Sequence, residues 1–312
     1  MGAFHAGELA LQARAMVDER LAQAAARAIR DHMPDQHREF FTVLPFLLVG
    51  SVDTRGQPWA SVLTGAPGFV SSPDPRSLHV RAVPQPHDPL ARALRQGAPL
   101  GLLGIQPHTR RRNRANGHVV AADRQGFLLR IDQSFGNCPK YIQAREPTHT
   151  GESLAAPAVE RLDGLDADTV RLVRGADTFF IATAHPQVHD SPLPEHGADI
   201  SHRGGKPGFI RVDAGRVLTV PDFTGNSYFN TLGNLQLEPR CGLLFIDHDS
   251  GDTLQLAARA RIVGEGRELE SFRGALRLLR LEVTSAIRAR SALPLRWSGG
   301  QPSPVLEATG TW

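Results

Sequence analysis

Gly65-Ala66-Pro67-Gly68-Phe69-Val70 returns 140 residues later as Gly205-Lys206-Pro207-Gly208-Phe209-Ile210. Leu78-His79-Val80 lines up with Leu218-Thr219-Val220 at the same offset. Gly101-Leu102-Leu103-Gly104-Ile105 returns as Gly242-Leu243-Leu244-Phe245-Ile246 at an offset of 141. Three matches in one order at nearly constant spacing mark an internal duplication. Two sheets that independently chose G-x-P-G-F turns and GLL strands would have to reproduce both order and spacing by chance.

Outward from these repeats, the chain reads as short apolar runs punctuated by Gly, Pro and Asp. Phe46-Leu47-Leu48-Val49-Gly50-Ser51-Val52 has the pattern of a buried strand, and Asp53-Thr54-Arg55-Gly56 that of a hairpin turn. Residues 59–64, 77–83 and 100–105 continue as strands. Asn116-Gly117 carries the strongest two-residue hairpin signal, between Arg114 and Val119-Val120-Ala121. Ahead of the first unit, Leu9, Ala13, Met16, Val17, Leu21, Ala24, Ala25 and Ile29 form one apolar stripe and predict a helix over 8–33, ended by Pro34. One helix is inserted in each unit, near 89–96 and near 226–237. Many short strands per unit favour a small antiparallel barrel, because closure removes exposed edges. The expected fold is mainly β with flanking helices (α+β). It comprises an N-terminal helical segment (1–41), a first barrel (42–150), a linker (151–168) and a second barrel with the C-terminal tail (169–312). Two related barrels in one chain would pack as a pseudo-dimer, with a ligand cleft at their interface.

The 312 residues are 41% hydrophobic and 21% charged, which excludes a wholly disordered chain. No run approaches the roughly 20 apolar residues of a membrane helix, and the N-terminus has no signal-peptide core, so a soluble cytoplasmic protein is expected. Two cysteines, Cys138 and Cys241, make no disulfide framework. The net charge of +3 comes from 35 basic residues of which only Lys140 and Lys206 are lysines. That bias reflects genome composition rather than a nucleic-acid surface, and no nucleic-acid partner is expected.

Phosphate-loop, HExxH, GxSxG and paired CxxC motifs are missing. His185, His189, His196 and His202 fit no common metal-ligand spacing, and Pro186, Pro192 and Pro194 mark their segment as a loop, so no metal site is expected. Arg110-Arg111-Arg112-Asn113-Arg114 reads as a solvated hairpin tip. Cys138 near Lys140 has no histidine beside it to make a nucleophile, and Cys241 reads as core. The second half holds the better constellation. Ser201-His202-Arg203-Gly204-Gly205-Lys206 puts cations at a strand end and turn, and Asp222-Phe223-Thr224-Gly225-Asn226-Ser227 leads into a helix. Thr224, Asn226 and Ser227 are N-cap types, and a helix start with a nearby arginine favours an anion such as phosphate. The other reading is that these residues only cap the helix and build turns. The matching stretches of the first half lack both the Thr-Gly-Asn-Ser run and the Arg-Lys pair, so one ligand site per chain is expected.

The second half resembles the FMN-binding split-barrel proteins related to pyridoxamine 5′-phosphate oxidase, through residues 199–209, 218–227, Asn230-Thr231-Leu232-Gly233-Asn234 and 242–247. The first half is similar to a diverged copy, as in a tandem-barrel branch of that family. The resemblance implies two split barrels and non-covalent FMN in the cleft between them, in a flavoprotein oxidoreductase that acts on a small-molecule substrate or electron acceptor. By position, Arg203, Asn226 and Ser227 would hold the phosphate, with Ser201 and Thr224 beside them. Asn230 and Gln255 would approach the ribityl chain or ring, with Lys206, His202 and Trp297 as further contacts. It also implies a homodimer and a separate NAD(P)H-linked or ferredoxin-type reductase. Leu295-Arg296-Trp297-Ser298 lacks the C-terminal Arg-x-His that grips substrate phosphate in the oxidases, which argues against vitamin B6 oxidation. Alternatives carried by the same barrel are a deazaflavin-dependent reductase and a non-catalytic flavin or haem storage protein, the last using His185, His189 or His202 as axial ligand.

Overall fold

The computed structural model describes residues 3–151 and 156–312. Three helices come first: α1 (Ala6–Arg14), α2 (Glu19–Ala28) and α3 (Asp35–Thr42). The first sheet comprises β1 (Phe46–Val52), β2 (Pro58–Thr64), β3 (Val70–Ser71) and β4 (Ser77–Val80). After the one-turn helix α4 (Leu90–Ala93) it continues with β5 (Pro99–Gln106), β6 (Arg111–Ala122) and β7 (Phe127–Gly136). Then come β8 (Pro147–His149), β9 (Ala158–Leu162) and α5 (Ala167–Gly175). The second sheet comprises β10 (Thr178–Ala184), β11 (Ala198–Gly204), β12 (Arg211–Asp213) and β13 (Val217–Asp222). Past α6 (Asn230–Leu237) it continues with β14 (Arg240–Ile246) and β15 (Thr253–Val263), and past α7 (Arg267–Ser271) with β16 (Arg277–Arg290). β17 (Leu295–Trp297) turns back to pair with β8.

The two sheets have one topology. The first runs β2-β1-β5-β6-β7-β4-β3 and the second β11-β10-β14-β15-β16-β13-β12, each strand matching the one nine places earlier. Neither path closes on itself, so each half is a split barrel, and the fold is two such barrels in tandem, packed as a pseudo-dimer. The repeated turn has one structure in both copies. Phe69 N–H donates to Ala66 O and Phe209 N–H to Lys206 O, with φ of 91° at Gly68 and 87° at Gly208, a left-handed conformation that glycine adopts without strain.

The repeated GLL strands are buried on both faces, which is why they read as continuous apolar runs rather than alternating ones. Leu100 and Leu102 point into the first barrel, Leu243 and Phe245 into the second. Leu103, Ile105, Leu244 and Ile246 face a third core between the barrels, with Leu48 and Phe180. At this seam the backbones nearly touch. A Cβ on Gly101 would stand 2.8 Å from Ala198 O, and one on Gly242 2.4 Å from Pro58 O. These are the same contact related by the repeat. The edge strands β2 and β11 are thus covered by the opposite barrel rather than removed by closure.

Three local expectations are corrected. The helix predicted over 8–33 is two helices, because Met16 takes a left-handed φ of 49° and the Asp18 side chain accepts from Arg20 N–H to start α2. The side chain of Leu21 lies outside the described residues. Asn116-Gly117 is no hairpin: it sits inside β6 at a bulge, and the turn to β7 comes at Asp123, whose carboxylate accepts from Gln125 and Gly126 N–H. The stretch 151–168 contains β9, which extends the second sheet along β16, and residues 152–155 within it lie outside the described residues. No described helix is long and apolar enough to cross a membrane.

Candidate functional site

A cavity of about 270 Å³ opens where the second barrel's β11 faces the first barrel's β6. Strand alternation decides what it receives: along β11, Ser201 and Arg203 point one way, while Ile200 joins the core between the barrels. The loop 223–229 forms one rim. Ser227 and Phe229, neither of them glycine, hold φ of 62° and 61° there. Backbone strain of this kind persists where the surrounding structure over-determines it, often at ligand clamps. Asn226 Oδ1 accepts from Tyr228 N–H, shaping the loop, but neither Asn226 nor Ser227 caps the helix. The N-cap of α6 is Phe229, without a side-chain hydrogen bond, and its first residues, Asn230, Thr231 and Leu232, line the cavity.

Four arginines converge on the cavity: Arg112 and Arg114 from β6, Arg203 from β11 and Arg277 from β16. Arg203 and Arg277 share Asp222, at 2.5 and 3.0 Å. Arg114 is 3% exposed and pairs with buried Asp199 at 2.6 Å. Its other nitrogen contacts are Ile200 O at 2.8 Å, Ser201 Oγ at 2.6 Å and Asn230 Oδ1 at 3.1 Å. Arg112 donates to Cys138 O at 2.7 Å and, among the described residues, has no carboxylate within ion-pair distance. Burial, and then the repulsion of Arg114 and Arg203, push the Arg112 guanidinium down to about 9. Arg114 is lowered as well, by burial, despite Asp199. His202 is pushed well down by burial and then by Arg112 and Arg203, so the ring is neutral. Four cations thus face two carboxylates, in a place where an unpaired charge is costly.

Among the described residues, four that line this cavity carry buried polar atoms without a partner: Arg114 Nε, Asn137 Nδ2, His202 Nδ1 and Arg203 Nε. Native proteins leave few such atoms unsatisfied, and a cluster of them marks a place where a ligand completes the network.

The equivalent position on the other side of the seam is sealed. The repeat superposes Ser61 on Ser201 and Gln255 on Arg114. Gln255 Nε2 donates to Ala60 O and Ser61 Oγ at 2.9 and 3.2 Å, the contacts Arg114 makes to Ile200 and Ser201. There Asp88 lies buried at the start of α4, accepting from Ser61 Oγ at 2.6 Å and Leu90 N–H at 2.9 Å. An internal carboxyl group occupies the spot that corresponds to the cavity beside α6.

The structure therefore gathers Ser201, His202, Arg203, Thr224, Asn226, Ser227 and Asn230 in one cavity. It separates three others. Lys206 reaches the C-terminal segment, donating to Thr309 O at 2.9 Å. Gln255 faces the sealed position, because a residue of β15 meets the opposite barrel on the opposite side of the seam. Trp297 packs edge-on against Phe46 and His248 in the core between the barrels. The sequence reading missed Arg277 and took Arg112 and Arg114 for part of a solvated hairpin tip, whereas they lie on β6 and line the cavity; the signal for Arg114 was its place opposite Gln255 in the repeat. His185 and His196 stack with ring centres 3.7 Å apart, His189 is exposed, and no group of three described side chains is arranged to hold a metal ion. Cys241 lies in the second core, its thiol pushed up to about 12 by burial.

No protein-family model and no curated protein matches the chain. Among solved structures it is similar to HutZ, the haem storage protein from Vibrio cholerae, at 12% identity over 41% of this chain and 95% of that one, with a TM-score of 0.28. It is similar to an FAD-binding protein from Mesorhizobium loti at 12% identity over 42% and 97%, with a TM-score of 0.29. It is also similar to a Lactobacillus delbrueckii protein assigned by name to the pyridoxamine 5′-phosphate oxidases, at 15% identity over 40% and 94%, with a TM-score of 0.29. These neighbours share the split-barrel fold.

Proposed function

We propose that the cleft between β11 and β6 binds FMN non-covalently and that the protein is a flavin-dependent oxidoreductase. The observation that carries this reading is the excess of arginine facing an uncapped helix start, with four buried polar atoms left unpartnered on the same wall. A phosphate dianion supplies the charge and the acceptors that this wall lacks. In this reading Arg203, Arg112 and the first turn of α6 hold the phosphate. Ser201, Thr224, Asn226 and Ser227 line its rim, and Asn230 and Arg114 reach the polyol chain. The cavity, about 270 Å³, is slightly smaller than the roughly 300–1,000 Å³ of typical small-molecule sites. When bound, the flavin supplies the hydride and electron chemistry. The lining residues would hold it, and His202, kept neutral by burial, would bring no ionised imidazole to the cleft.

Arg296, in the segment compared above with the oxidases' Arg-x-His, is turned into its own segment, donating to Leu293 O and Leu295 O. We therefore assign no vitamin B6 chemistry and propose that reducing equivalents come from a separate NAD(P)H-linked reductase. The haem-storage reading rests on His202, whose Nδ1 is buried without a partner on a cleft residue. An absorbance spectrum separates the two, flavin bands supporting the first and a Soret band the second. Arg203→Ala is expected to weaken FMN binding by about 1.5–3 kcal/mol, roughly 10- to 150-fold, read by quenching of flavin fluorescence. Unchanged affinity would remove Arg203 from the phosphate site.

A further inference from the structure

We infer that Glu8, carried in by the N-terminal helix, is a positioning residue for the anion in this cleft, holding Asn230 and through it Arg114, so that ligand binding is coupled to the protonation of one carboxyl. The inference rests on the proposed reading that the cleft takes FMN.

Helix α1 lies across α6 at a crossing only glycine permits. A Cβ on Gly7 would stand 2.3 Å from Gly233 O, and one on Gly233 2.5 Å from Glu8 Cγ. This close approach drives Glu8, 4% exposed, under the first turn of α6. Its Oε1 accepts from Asn230 Nδ2 at 2.5 Å, and its Oε2 accepts from His5 N–H at 2.8 Å. Asn230 in turn accepts from Arg114 on its Oδ1. A line of hydrogen bonds therefore runs from the N-terminal helix to the cationic wall, through the residue that opens α6.

The charged and titratable neighbours of Glu8 are His5 on its own helix, Asp199 on β11 and Arg114 on β6. His185 lies beyond His5, ring centres 5.1 Å apart. Burial dominates and raises the Glu8 carboxyl to about 8, partly offset by the bonds from His5 and Asn230. His5 is itself pushed down to about 4 by burial and then by His185 and His196, so it brings no positive charge to Glu8 at neutral pH. Near pH 7 Glu8 is a neutral acid and brings no negative charge to the Asn230–Arg114 line. Above about pH 8 it ionises, and its charge opposes that of an external anion held by the same wall. A bound phosphate adds negative charge nearby and raises the carboxyl further, so binding near pH 8 takes up a proton, and affinity falls as pH rises past the free carboxyl's value.

FMN is titrated onto the intact protein and onto Glu8→Gln between pH 7 and 9, where the phosphate is already a dianion. Across this range the wild-type affinity is expected to fall by up to about tenfold more than that of Glu8→Gln, the loss common to both coming from Arg112, which burial pushes down to about 9. Calorimetry at pH 8 in two buffers of different ionisation enthalpy is expected to show uptake of a substantial fraction of a proton by the wild type alone, a readout that needs no variant to fold. Equal slopes, or no uptake by the wild type, would overturn the role of Glu8 while leaving the flavin site in place. Absence of FMN binding at every pH would overturn the flavin reading, and this inference with it.

Discussion

Arg114→Met is expected to lose about 3–5 kcal/mol of stability, because it breaks a buried ion pair by removing one partner and leaves Asp199 without its cation. The pair lies 2.6 Å apart with both side chains at most 5% exposed, so water cannot take over. The same substitution is expected to reduce FMN affinity by more than about tenfold, through loss of charged hydrogen bonds at the cleft. Chemical denaturation reads the first effect and flavin fluorescence the second. The double variant Arg114→Met with Asp199→Asn separates them. Removing both charges should restore much of the stability, as replacing buried ion pairs commonly does, while the affinity stays low. Recovery of both together would mean that Arg114 only supports the fold.

Gly242→Val should be strongly damaging at the seam between the barrels. Its new Cβ would meet Pro58 O at 2.4 Å and the Cα of Trp59 at 2.5 Å, backbone against backbone, so no side chain can rotate away. Overpacking of this kind costs about 1–3 kcal/mol or more, and here relief requires the barrels to move apart, which would also widen the ligand cleft. Loss of about 3 kcal/mol or more in urea denaturation, together with weaker FMN binding, is the expected result. Gly264→Ala, which meets nothing within 4 Å, serves as the comparison and should change stability by no more than about 0.5 kcal/mol. If the two behave alike, the seam does not hold the barrels as tightly as the glycines indicate.

The duplication was legible because its turn and strand residues answer local demands: positive φ at Gly68 and Gly208, and close approach at Gly101 and Gly242. The second-barrel half of the cleft was legible for a related reason, since Ser201 to Arg203 and Thr224 to Asn230 are neighbours in sequence. The other half was not. Arg112 and Arg114 come from a strand 90 residues away from His202, and the Asn-Gly pair beside them imitates a hairpin while forming a bulge. Gln255 was assigned to the wrong side of the seam because a pseudo-two-fold exchange sends β15 to one cleft and β6 to the other. Glu8 was hidden because the apolar stripe indicated the wrong face of its helix: Leu9 and Met16 are exposed, while Gly7, Glu8, Leu11 and Gln12 are buried.

Asp88 gives the duplication a further meaning. In an assembly of two identical subunits every substitution appears twice, so an acid that plugs one mouth plugs its mate. Joining both halves on a single polypeptide frees each mouth to change alone, and here one has become internal mortar while the other remains a cavity.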